Sequence, residues 1–262
     1  MRPPLQSAQA ERMVHAMAWS GGKDSMLALD RLVRDGRDVR FLFNLYDRDS
    51  RRVRFHGVRR ELIQRQAERL GLTLIQAATS SGDFEAVFFR GLERLRKLGA
   101  TAIAFGNIHL ADVRAWYEER TTSRGLTHVE PLWSNEPQQL VEEFLVRKYG
   151  AILTSVDLER ARREWLGRSL DAQLCGEIVA TPGVDAAGES GEFHTFVHAG
   201  PLFRSSIAVT PGEVHEAEGH ALIDLTESRD TACVAAVNPR AARRPDPASL
   251  HASREGSWQG IR

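Results

Sequence analysis

Residues 18–25 read Ala-Trp-Ser-Gly-Gly-Lys-Asp-Ser. A short apolar run, Met13 to Trp19, precedes them, and an amphipathic stretch, Met26 to Val33, follows. The pattern reads as strand, tight Gly turn, helix. At such a junction the first backbone N–H groups of the helix have no intrahelical partner, and the helix dipole adds partial positive charge. The turn is therefore suited to an anion. Gly21 and Gly22 let the backbone approach a bulky oxyanion with no Cβ in the way. Ser20 and Ser25 offer hydroxyls, Lys23 a cation, and Asp24 a carboxylate able to recruit a hydrated metal.

Outward from this turn, strands and helices alternate. Val39 to Tyr46, Leu72 to Ala77 and Thr101 to Phe105 read as short apolar strands. The stretches 23–35, Val58 to Leu70, Asp83 to Leu98 and Asp112 to Arg124 read as helices, and Gly follows each within a residue. Strands apolar on both faces and separated by helices predict an α/β fold, a parallel sheet covered on two sides. Ligands then sit at the carboxyl ends of strands, where both residues 20–25 and Gly106-Asn107-Ile108-His109 fall. After Gly125 the character shifts. Glu136 to Tyr149 reads as a helix, Ala151 to Val156 as a strand, and residues 158–180 as broken helix. Strands are expected at His194 to His198, Phe203 to Thr210 and His220 to Leu225. The expected division is a nucleotide domain over 12–127 and a smaller α+β substrate domain over 128–228. The polar stretches 1–11 and 238–262 are expected to be disordered.

Composition narrows the function. The 262 residues carry zero formal net charge, so no global field draws the chain to nucleic acid or a membrane surface. No apolar run reaches about 18 residues, and the N-terminus has no apolar signal core. The two cysteines, Cys175 and Cys233, form no C-x-x-C pair, which suits reduced thiols in a cytoplasmic protein. Lysines occur only at 23, 97 and 148, so a Lys within the Gly turn stands out. The Arg bias suggests a GC-rich genome.

A second constellation lies at 185–196, Asp-Ala-Ala-Gly-Glu-Ser-Gly-Glu-Phe-His-Thr-Phe. Glu189, Glu192 and His194 stand among glycines that allow both carboxylates to aim at one place, as a metal, an amine or general base chemistry requires. The alternative is a solvated acidic loop. His56 reads as a nucleotide or acceptor contact or as a surface residue. Asn107 reads as a ligand contact or a turn-closing residue, with Asp112 as a helix cap. Trp133 reads as packing. The charged run 47–54 reads as a solvated loop, although Arg-rich loops can clamp phosphates.

Spacing excludes a P-loop, G-x-x-x-x-G-K-[ST], and the G-x-G-x-x-G fingerprint. The S-G-G-x-D-S form resembles the PP-loop of ATP pyrophosphatases. With His56-Gly57-Val58, Gln66-Ala67, Phe105 to His109, Glu130-Pro131-Leu132-Trp133 and Gly188 to Phe196, continuing to Gly200-Pro201-Leu202-Phe203, the chain resembles the diphthine–ammonia ligase family over residues 13 to about 225. The resemblance implies a Rossmann-like adenine-nucleotide α-hydrolase (HUP-type) fold. It implies ATP and Mg2+ as cofactors, with Asp24 at the metal. Ser20 to Ser25, His56, Gly106 and Asn107 would meet the nucleotide. Asp24, Glu189, Glu192 and His194 would be catalytic. The implied chemistry is adenylation of a carboxylate acceptor, release of pyrophosphate, and displacement of AMP by ammonia or an amine. Where the family loop usually has Cys and then Asn or Gly, this chain has Ala187 and Ser190. Diphthamide belongs to an archaeal and eukaryotic elongation factor, so a chain of bacterial composition is expected to use another acceptor. A nucleotide-sensing module without turnover is the alternative. A tRNA thiolase would need sulfur-handling cysteines and a basic surface, which this sequence lacks. A homodimer is compatible with the sequence, which does not fix the oligomeric state.

Overall fold

A computed structural model describes residues 13–228; the expected disorder at 1–11 and 238–262, and Cys233, lie outside the described residues. Five parallel strands form the first sheet: β1 (Val14–Ala18), β2 (Asp38–Asp47), β3 (Thr73–Thr79), β4 (Ala102–Ala104) and β5 (Thr127–Val129), in the order β3-β2-β1-β4-β5. The helices α1 (Lys23–Arg34), α2 (Arg60–Leu70), α3 (Phe84–Lys97) and α4 (Ala111–Ser123) connect them. This is a Rossmann-like α/β sheet. Its strand order reverses between β1 and β4, which opens a crevice at their carboxyl ends.

Local sequence explains each piece. Helix α1 buries Met26, Leu27, Leu29 and Leu32, one apolar face at helical spacing, against the sheet. It stops where Gly36 takes φ +70° and the Arg37 N–H reaches back to Leu32 O at 2.9 Å. Strands β1 and β2 bury Ala16, Met17 and Phe41 to Phe43 because helices cover both faces. No helix among the described residues is long and apolar enough to cross a membrane.

The second sheet is antiparallel, in the order β7-β6-β9-β8. It comprises β6 (Gly150–Asp157), β7 (Phe193–Ala199), β8 (Val209–Ala217) and β9 (His220–Glu227), with α5 (Pro137–Val146) and α6 (Ala172–Val179) beside it. One buried cluster runs through both sheets, from Met17, Leu42 and Ile63 to Trp165, Phe193 and Phe196.

One expected strand is overturned, and two stretches gain detail. Phe203 to Thr210 is not a strand: Phe203 and Ile207 are buried from a loop, and the strand begins at Val209 and continues to Ala217. Residues 158–180 contain only a 3-10 turn, Arg163–Trp165, and α6. The short strand β5 falls between the helix expected to end at Gly125 and the next element.

Candidate active site

The Gly turn stands where the strand order reverses. Gly22 caps α1 without a side-chain hydrogen bond, so the helix start is left to other partners. The Ser25 hydroxyl donates to Gly22 O at 3.0 Å and lies 3.4 Å from the Ser20 hydroxyl. Gly106, just after β4, is required by proximity. A Cβ there would lie 2.9 Å from the Asp24 carbonyl carbon and 3.0 Å from Ser25 N. The β4 loop thus presses directly on the helix start.

The second sheet closes over this turn. Val197 N–H donates to Gly21 O at 2.9 Å, and Lys23 N–H to Thr195 Oγ1 at 3.0 Å. Gln66, fully buried on α2, ties the two together. Its Nε2 donates to Gly21 O and Val197 O at 3.0 and 2.6 Å, and its Oε1 accepts from Trp19 Nε1 at 2.8 Å. His56 Nδ1–H donates to Thr195 O at 3.1 Å, which fixes the tautomer and leaves Nε2 as an acceptor. The His56 and His194 rings lie 4.5 Å apart. Burial lowers the His56 pKa to about 4 and pushes His194 well below the usual histidine range, so both are neutral at pH 7.

The cleft between these parts has a volume of about 420 Å3. Ser20, Asp24, Ser25, Asn107, Glu189 and His194 supply its polar wall; Phe43, Phe88, Phe105 and Tyr117 supply an apolar one. Glu189, whose Oε1 accepts from Ile108 N–H at 2.9 Å, has its pKa pushed up to about 7, first by burial and then by the Asp24 carboxylate. Burial raises the Asp24 pKa too, against the pull of Lys23. Two carboxylates that resist charging together favour a cation between them. Asn107 lines the cleft with its Nδ2 held by Glu130 Oε1 at 2.7 Å, and Asp112 does not cap α4, whose N-cap is Leu110.

Four expected residues do not line the cleft: Gly21 and Gly22, buried against Gln66 and His56, and Lys23 and Glu192. Lys23 is 4% exposed and absent from the cleft wall; its Nζ donates to Asp24 Oδ2 at 2.9 Å and to Ala187 O. It ties the Gly turn to the loop at 185–196. Glu192 is 3% exposed and also off the cleft wall. Its Oε1 accepts from Asp185 N–H at 3.2 Å, while Oε2 has no hydrogen-bond partner among the described residues. Ala187 is fully buried, and it is the carbonyl at this position that the loop uses.

Sequence reasoning missed Gln66 and Thr195 as organisers, and Asp185. Asp185 Oδ1 accepts from Ala187 N–H and Glu189 N–H at 2.7 and 3.3 Å, and Oδ2 lies 2.9 Å from His109 Nε2. An Asp two residues before a turn is the available signal for that role.

Models of the diphthamide synthase N-terminal and C-terminal domains match residues 13–128 and 136–228. The chain belongs to the diphthine–ammonia ligase family. It is 27% identical over 237 residues to a diphthine–ammonia ligase of Schizosaccharomyces pombe, covering 82% of this chain and 38% of the relative. The chain thus spans about two fifths of that relative's length. A rat (Rattus norvegicus) diphthine–ammonia ligase is 26% identical over 231 residues, covering 77% of this chain and 85% of its own. The structure of GenD2 from gentamicin A biosynthesis, in complex with NAD, covers 87% of this chain and 68% of its own at 13% identity and a TM-score of 0.27, a level that carries no argument.

Proposed function

We propose that this chain is an ATP-dependent ligase that adenylates a carboxylate and passes it to ammonia or an amine. One observation carries the reading. The helix start that follows the Gly turn opens on a cleft whose wall includes Asp24, from α1, and Glu189, from the loop before β7. A carboxylate oxygen of the acceptor attacks the α-phosphorus of ATP. The bond to the bridging oxygen breaks, and pyrophosphate leaves. The amine nitrogen then attacks the acyl carbon, AMP leaves, and one proton is lost to give the amide.

In this reading the start of α1 at Asp24 and Ser25 holds phosphate with Ser20 beside it, while Gly21 and Gly22, buried under Gln66 and His56, shape the turn. The aromatic wall takes the adenine, and Asn107, fixed by Glu130, closes the cleft rim. Magnesium fits as a group arriving with the nucleotide. No cluster of three or more His, Cys, Asp or Glu exists among the described residues, and magnesium bound with phosphates uses one or two carboxylates. Asp24 would hold it, and the ion would offset charge on the departing pyrophosphate. Glu189, on the cleft wall with its pKa raised to about 7, would take the proton from the incoming ammonium or amine. Neutral His194 and His56 offer ring nitrogens as hydrogen-bond acceptors. The Arg-rich composition favours an acceptor other than diphthine.

A nucleotide sensor without turnover is the second reading, favoured by Lys23, which is spent on Asp24 and Ala187 O and not offered to the cleft. Incubation with ATP, Mg2+, ammonium and a carboxylate library, followed by chromatography, separates the two. AMP and pyrophosphate support the ligase. Tight ATP binding without turnover supports the sensor, and ADP with phosphate as sole products refutes α–β cleavage.

A further inference from the structure

Beside the cleft lies a second cavity of about the same volume, 420 Å3. The two share Leu45, Val53, Arg54, Phe55 and Phe84 as walls. Neither the Gly turn nor Asp24 nor Glu189 reaches the second cavity. It lies between the loop that follows β2 and the β8–β9 hairpin, which contributes His215, Glu218 and His220.

Arg54 stands where the two cavities meet. Other arginines of this region are engaged: Arg48 with Asp83 at 2.5 Å, Arg51 with Glu61 at 2.7 Å, Arg52 with Asp224 at 2.7 Å, and Arg59 with Asp224 at 2.6 Å. Arg54 is in no ion pair among the described residues; its guanidinium lies 5.0 Å from the Phe55 ring centroid. Phe55 itself is unusual. It takes φ +65°, a costly conformation for a bulky residue, worth about 1–3 kcal/mol. Its side chain is not repaid by the core, since the residue is 53% exposed, and its ring instead stacks 6.3 Å from that of His194. A strained, exposed aromatic and a guanidinium whose charge reaches Asp47 but makes no salt bridge with it therefore form the partition between the cavities.

We propose that the second cavity is the acceptor chamber and that Arg54 is the positioning residue that holds the acceptor's carboxylate at its border with the nucleotide cleft. The proposal rests on the ligase reading above. The guanidinium fork matches a carboxylate. The chamber volume is that of a small-molecule site. Its other charged groups include Asp47, Asp49 and Glu218, which repel a second negative charge, so the acceptor is a monocarboxylate.

Calorimetry of the full chain with 5′-O-sulfamoyladenosine and its N-acetyl, N-(4-aminobutanoyl), N-succinyl and N-hexanoyl derivatives tests this. The sulfamoyladenosine portion fills the nucleotide cleft and the acyl group reaches past Arg54. At least one uncharged or amine-bearing acyl chain should bind tenfold or more tightly than the parent, and N-succinyl should gain less. Arg54→Ala should erase the gain of the acyl derivatives over the parent compound measured on the same variant, and Arg54→Lys should restore part of it. His215→Trp, on the far wall, should remove the gain for the longer chains and spare N-acetyl. No gain from any acyl chain, or a gain that survives both Arg54→Ala and His215→Trp, overturns the chamber. Failure of the parent compound to bind the wild-type chain instead overturns the ligase reading.

Discussion

The Gly turn at 20–25 and the loop at 185–196 line one cleft but are held there by different means. The Gly turn is fixed through its backbone: Gly21 O accepts from Val197 N–H and from Gln66 Nε2, Lys23 N–H donates to Thr195 Oγ1, and the β4 loop packs so closely that position 106 has no room for a Cβ. The later loop is fixed by charged side chains reaching into it. Asp185 gathers its N–H groups, Lys23 holds the Ala187 carbonyl, and Glu192 turns inward to Asp185 N–H. A backbone-built site depends on the absence of side chains, and a side-chain-built site on which carboxylate points which way. Glu189 and Glu192 stand three residues apart in one motif, yet the first faces the cleft and the second is buried away from it.

The largest effect should come from the carboxylate that the Gly turn presents. Asp24→Ala removes the group proposed to hold magnesium and also releases Lys23. Loss of metal-assisted charge stabilisation is worth several kcal/mol, so pyrophosphate release should fall by about 10³-fold or more. Turnover equal to wild type would detach Asp24 from the chemistry.

Gly106→Ala probes the backbone side of the comparison. Its Cβ would meet backbone atoms of Asp24 and Ser25, which cannot swing aside as a flexible side chain can. Overpacking of this kind costs about 1–3 kcal/mol. Weaker ATP binding, a lower melting temperature, or both should follow in calorimetry. A variant with wild-type values in each would show that the β4 loop has slack.

Most of the first sheet was legible because three local signals agreed there. Apolar runs marked β1 to β4, helical spacing marked α1 to α3, and Gly ended all four helices, α4 included, whose burial shows no apolar face. β5, three residues long, carries too little pattern to read. The second sheet was less legible for a physical reason. β8 contains Pro211 and Gly212, both poor in strand interiors, and is almost wholly exposed. As an edge strand paired only with β9, with an irregularity between Pro211 and Val214, it tolerates both. Phe203 and Ile207 suggested a strand because burial by a loop leaves the same apolar trace in sequence. Of the residues lining the cleft, Ser20, Asp24, Ser25, Glu189 and His194 had been singled out by residue type and spacing. That Lys23 would turn from the cleft could not, because its acceptor lies 164 residues away.

A smaller effect should appear in acid. His56, with its pKa lowered to about 4, and His194, held well below the usual histidine range by burial, are neutral in the fold, while the unfolded chain protonates near 6.5. Between those values the unfolded state binds more protons, so this contribution to stability is present above about pH 6.5 and is lost as pH falls towards 4. Glu189 acts in the opposite sense, because its raised pKa lets the folded state bind the extra proton between its ordinary value and about 7. The comparison must therefore be between variants. Urea melts at pH 7 and pH 5 should show a smaller acid loss in His56→Gln than in wild type. An identical loss would place the acid sensitivity elsewhere.

The central claim is that two neighbouring carboxylates of one loop divide the work, Glu189 at the chemistry and Glu192 in the frame. Single-turnover amide formation, ATP affinity and melting temperature measured in parallel for Glu189→Gln and Glu192→Gln test it most directly. Glu189→Gln should keep ATP affinity and melting near wild type and slow amide formation by about 10²-fold or more, as for loss of a general base. Glu192→Gln should turn over within about threefold of wild type in its folded fraction, with any change confined to melting. The reverse pattern, normal chemistry in Glu189→Gln and a dead but stable Glu192→Gln, would contradict the account.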